Sequence, residues 1–95
     1  MNLRKLAKGR DCLIRVPGYC SFDPEQTVGC HIRMSGITGV SMKAPDLFIA
    51  WGCYPCHQVV DGQRKSEFTP DERRLMLLEA VIRTQAQLLK EGAIK

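Results

Sequence analysis

The chain has 95 residues, 44% of them hydrophobic, which fits one small folded domain and excludes a disordered tail. Fourteen Lys and Arg against ten Asp and Glu give a formal charge of +4, and Arg4, Lys5, Lys8 and Arg10 fall before the first acid. Such an excess suits a polyanion partner, although on charge alone a solvated, mobile N-terminus is the favoured reading. No apolar run has the length of a signal peptide or a membrane span, so the expected location is cytoplasmic.

In chain order, Cys12–Val16 (CLIRV) reads as a short strand, and Pro17-Gly18-Tyr19 as a tight turn into Cys20. Thr27–Arg33 (TVGCHIR) is a second strand rich in β-branched residues. Met34–Pro45 has two glycines, a proline and no helical period, and reads as a loop. Asp46–Trp51 (DLFIAW) is extended. A short helix starts near Pro55, since proline is accepted in a first helical turn, and Gly62 ends it. "TPDE" then gives the strongest local signal: Thr69 as N-cap, Pro70 at the first helical position and Glu72 closing a capping box. That helix should run from Pro70 to about Glu91, with Gly92 as its stop. Leu75, Leu78, Ile82, Ala86 and Leu89 recur at three- and four-residue spacing and make the apolar stripe expected to face the core. Met76, Leu77, Val81 and Leu88 lie outside it and offer a second apolar face to a partner, with no oligomeric state fixed.

Five cysteines in a reducing compartment point to metal binding or redox chemistry rather than to a disulfide framework. Cys53 and Cys56 form a C-x-x-C pair with the spacing of a zinc knuckle, and Cys12 and Cys20 are the natural second pair. Four thiolates would close a structural Zn²⁺ site, leaving Cys30 as a spare thiol. A redox pair would need the βαβ setting of a thioredoxin-like motif, which is missing. His57 follows Cys56 directly, so on a helix the two side chains point about 100° apart and sharing one ion is awkward. His57 and Asp61 are i,i+4 on the same helix and can grip a divalent ion, or the carboxylate can orient the ring. His31, on a strand, is a candidate general base. Arg33, two residues on along the same strand face, is a candidate phosphate contact, and Lys43 in the loop is a second one.

The run "CHIR … PDLFIAWGCYPCHQVVD" resembles the HNH, or ββα-metal, nuclease motif on a treble-clef zinc frame. From Arg10 to Arg64 the chain more narrowly resembles small prophage-encoded nucleases of the YbcO type. The resemblance implies an α+β treble-clef core over residues 10–64 with a long C-terminal helix over 69–91, together one HNH-like domain. It further implies a metal-dependent DNA endonuclease. His31 would deprotonate the attacking water, Asp46 would fix the loop or orient His31, and His57 and Asp61 would hold a catalytic Mg²⁺ or Mn²⁺. Three positions depart from the family pattern: Cys30 stands where many members have an acidic ligand, Asp46 replaces the central Asn, and Asp61 replaces the last His. A non-catalytic zinc module that binds DNA or a protein is the competing reading.

Overall fold

The computed structural model describes residues 5–32 and 46–93. The fold is α+β. Strand β1 (Val28–His31) pairs antiparallel with β2 (Ile49–Gly52), His31 lying opposite Ile49 and Val28 opposite Gly52. Helix α1 (Tyr54–Val60) follows β2 after one residue, and α2 (Pro70–Lys90) closes the chain.

All four residues of β2 are buried. Its alternation explains how: Ile49 and Trp51 pack with Ala7 and Leu88, whereas Ala50 packs with Cys30, Val59, Leu77, Ala80 and Val81. One strand therefore carries two apolar clusters, one on each face, and α2 contributes to both. Asp46–Phe48 is a 3₁₀ turn rather than the extended segment expected, so β2 begins at Ile49. The Met34–Pro45 loop lies outside the described residues.

Helix α2 begins as its sequence dictates. The Glu72 N–H donates to Thr69 Oγ1 at 3.1 Å, and the Thr69 N–H donates to Glu72 Oε1 at 2.9 Å. Pro70 takes the first helical position, where its missing N–H costs nothing. The face that α2 buries is not the expected one. Leu77, Ala80, Val81, Thr84 and Leu88 are inside, while Leu75, Ile82 and Leu89 are 57%, 66% and 56% exposed. Two apolar stripes share this helix, and periodicity gives the period but not the phase. The polar Thr84 hides the true inner face. Two hydrogen bonds compensate its burial: its hydroxyl accepts the Trp51 N–H at 3.0 Å and donates to the Ala80 carbonyl at 2.8 Å.

Cys12–Val16 is a bend rather than a strand. Its amides turn to sulfur: Arg15 N–H donates to Cys12 Sγ at 3.4 Å and Val16 N–H to Cys56 Sγ at 3.3 Å. Arg15 sits at φ 54°, a left-handed conformation that a non-glycine residue adopts only when its surroundings impose it. The turn after it forms as expected, with the Tyr19 and Cys20 amides both donating to the Val16 carbonyl. The described part of the N-terminus is not loose. Ala7 is buried, and the Arg10 guanidinium lies 5.1 Å from the centre of the Trp51 ring while pairing with Glu91. No helix among the described residues is long and apolar enough to cross a membrane.

Candidate functional site

Folding gathers the side chains of Cys12, Cys20, Cys53 and Cys56 from the N-terminal bends and the start of α1. Their four sulfurs all lie within 4.8 Å of one another, and Cys53 Sγ is 3.9 Å from Cys20 Sγ. In a tetrahedral site with Zn–S bonds of about 2.3 Å the sulfur–sulfur edges are about 3.8 Å, so the donor set suits a metal ion such as zinc. Backbone N–H groups aim at the sulfurs as they do at thiolates, including Ser21 N–H to Cys53 Sγ at 3.4 Å. The protonation balance points the same way. A hydrogen bond from Cys56 draws the Cys12 thiol down to about 4, while that same bond and burial push Cys56 up. Burial also pushes Cys20 up to about 11. The shared hydrogen bond thus favours the thiolate at Cys12 over Cys56.

Cys30 stands apart from this set. It is 1% exposed, its thiol donates to the Val28 carbonyl at 3.8 Å, and burial first and the nearby Asp61 second push its titration up. It is a core thiol of β1, not a fifth ligand.

Helix α1 carries residues of both candidate ligand sets. Cys53 is its N-cap and Cys56 faces the sulfur cluster. His57 turns away, and its Nε2 lies 3.1 Å from Asp61 Oδ2. This separation suits a hydrogen bond. It also suits two adjacent ligands of an octahedral ion, whose donors at about 2.1 Å from the metal would be about 3.0 Å apart. Among the described residues no further set of three His, Cys, Asp or Glu donors converges.

His31, the last residue of β1, and Asp61, just past α1, line one cleft of about 210 Å³. Its opposite wall is the start of α2, with Arg73, Arg74 and Leu77. The cleft thus brings His31 and Asp61 together, and Asp61 ties in His57. The backbone of Asp46 opens the 3₁₀ turn before β2, and its side chain lies outside the described residues, as do Arg33 and Lys43. The two α2 arginines are not conspicuous in the sequence, because they stand more than forty positions beyond His31 in an ordinary amphipathic helix. The usable signal is Arg73 four residues before Leu77, on the inner face.

The family model described as "Putative nuclease YbcO" matches residues 1–93. The chain belongs to the YbcO family. Two relatives described by that name, from Escherichia coli K12 and from Enterobacteria phage 82, are each 42% identical over 95 residues, covering 99% of this chain and 97% of theirs. A solved structure titled as a bacteriophage protein from Escherichia coli K-12 superposes with a TM-score of 0.78 at 37% identity, over 96% of this chain and all of that one. YbcO relatives and this chain therefore match end to end, with the cysteine cluster, the cleft and α2 all inside the matched span.

Proposed function

We propose that this YbcO-family chain is a metal-dependent DNA endonuclease of the HNH, or ββα-metal, type, built on a treble-clef frame whose four cysteines hold structural Zn²⁺. One observation carries the reading. His31 from β1 and Asp61 from the end of α1 line one cleft, and Asp61 lies 3.1 Å from His57, in a chain that also gathers four cysteine sulfurs. The name shared by the family and its relatives supports the nuclease class.

In this reading His31 takes a proton from water as the water oxygen attacks the phosphorus of a phosphodiester. The bond from phosphorus to the leaving nucleoside oxygen breaks, and that oxygen takes a proton from solvent. The β1–β2 pairing sets the His31 backbone opposite Ile49, which would hold the base in place before substrate arrives. His57 and Asp61 would hold Mg²⁺ or Mn²⁺, which when bound neutralises charge at the scissile phosphate. Zn²⁺ on Cys12, Cys20, Cys53 and Cys56 would anchor α1, and with it His57 and Asp61, to the N-terminal bends.

The test is supercoiled-plasmid nicking with and without Mg²⁺ or Mn²⁺, comparing the native chain with His31→Ala. Ion-dependent nicking that falls by roughly 10²-fold or more in the variant supports the reading, since that is the usual size of a general-base contribution. Absence of nicking with every divalent ion would leave a zinc-binding module for DNA or protein.

A further inference from the structure

Arg73 lines the cleft but has no part in the reaction above, and it is also electrostatically incomplete. Every other described arginine has a partner for its guanidinium. Arg10 pairs with Glu91, Arg15 donates to the Cys12 carbonyl, Arg64 to Gln58, Arg74 pairs with Asp71 at 3.4 Å, and Arg83 donates to the Leu13 carbonyl. Arg73 has none among the described residues, and its Nε is buried without a hydrogen-bond partner. A buried donor left unpaired is costly, and among the described residues Arg73 is the one such group whose side chain also lines the cleft.

The chain makes room for this group. Arg73 stands on the inner side of α2 above Leu77, so its guanidinium crosses to the end of α1. There it lies over Gly62, where an added Cβ would sit 2.5 Å from Arg73 Nη1. Gly62 has φ 78°, so glycine both ends the helix and leaves the space that the guanidinium occupies. The cleft wall then holds two guanidinium groups and one carboxylate beside the His31 imidazole, an excess of positive charge. Arg74 is engaged at the surface with Asp71, which leaves Arg73 to act inside.

We propose that Arg73 is the phosphate-binding residue of this cleft, its guanidinium donating to the non-bridging oxygens of a nucleic-acid phosphodiester beside His31. This rests on the nuclease reading and deepens it. A planar fork of donors suits two oxygens of one phosphate, and in a partly enclosed cleft the attraction is stronger than in open water. As phosphorus becomes five-coordinate, charge grows on those same oxygens, so the contact strengthens at the transition state.

The test separates binding from cleavage. In a full-length chain carrying His31→Ala, affinity for a short DNA duplex is measured by fluorescence anisotropy at several salt concentrations. Adding Arg73→Gln should weaken binding about tenfold and lower the slope of log affinity against log salt by about 0.9, the loss of one phosphate contact. With His31 intact, Arg73→Lys should keep most of that slope yet cleave about 10²-fold more slowly, because an ammonium cannot make the paired contact. An unchanged salt slope in a folded Arg73→Gln chain overturns the proposal. Should Arg73→Gln not fold, Arg73→Lys decides, and cleavage at the native rate overturns it. A native chain that cuts DNA while Arg73→Gln cuts equally well removes Arg73 and keeps the nuclease. A native chain that never cuts but shows the Arg73-dependent slope removes the nuclease and keeps the anion site.

Discussion

The cysteine-bearing half and helix α2 are stabilised in opposite ways. From Arg10 to Thr27 the chain has only one short 3₁₀ turn, at Pro24–Gln26, and no strand or α-helix. Several of its amides donate to sulfur, and Arg15 is held at φ 54°. Ile14 and Val16 anchor that stretch in the core, while the sulfur contacts set the conformation of the bends around them. Helix α2, in contrast, carries its own start signal, 21 residues of continuous helix and a face buried on β2. A domain of this size has a small core. Packing and its own capping order α2, whereas the N-terminal bends combine core contacts with a cysteine cluster suited to a cation.

The sharpest break of that comparison is removal of the ion. Treatment with a strong chelator, or Cys53→Ser, should release one Zn²⁺ per chain and unfold the N-terminal half. A structural site of this type contributes on the order of 10 kcal/mol to folding. Native mass spectrometry gives the metal count, and hydrogen exchange gives the region lost, with α2 amides retaining more protection than those of residues 10–32. Cys30→Ser should keep the metal, because Cys30 stands outside the sulfur cluster. Equal metal content and exchange in Cys53→Ser and the native chain would contradict the assignment.

A smaller effect probes the packed half. Thr84→Val preserves shape but removes the acceptor of the Trp51 N–H, leaving that buried amide of β2 unpaired. The expected loss is about 1–3 kcal/mol in denaturant unfolding, with metal content unchanged. A neutral result would mean that Trp51 N–H finds another acceptor and that the α2–β2 junction is held by apolar contact alone.

These two regions are also unequally legible in the sequence. The start of α2 is readable because capping is local chemistry: Thr69, Pro70 and Glu72 act on amides within one turn. The pairing of Cys12 and Cys20 with Cys53 and Cys56 is readable because a C-x-x-C pair that binds metal needs two further donors. The conformation of the bearing loops is not, since Arg15 takes φ 54° where sulfurs, one of them distant in the chain, accept the local amides. His31, His57 and Asp61 stand out by spacing and resemblance, whereas Arg73 enters the cleft through tertiary packing. That packing depends on the rotation of α2 about its axis, which the apolar period leaves open. The misplaced Leu75 and Ile82 and the overlooked Arg73 have this one cause. The true inner face runs Arg73, Leu77, Ala80, Thr84, Leu88, and two of its five members are polar.

The rotation of α2 is itself testable, and the effect should be the smallest of the three. Ile82 is 66% exposed on the outer stripe, so Ile82→Gln removes little buried area and keeps a residue of comparable or better helix propensity. Its unfolding free energy should stay within about 0.5 kcal/mol of the native chain, as for other surface substitutions. Val81, its neighbour, is 5% exposed within the main core, and Val81→Ala should cost more than that. The two variants change adjacent residues of one helix, so the difference between them reads the helix phase directly. If Ile82→Gln were the more damaging, α2 would be rotated toward the phase that the Leu75, Leu78, Ile82 and Leu89 stripe suggests. Leu77 would then turn outward, and Arg73 with it, away from His31 and Asp61.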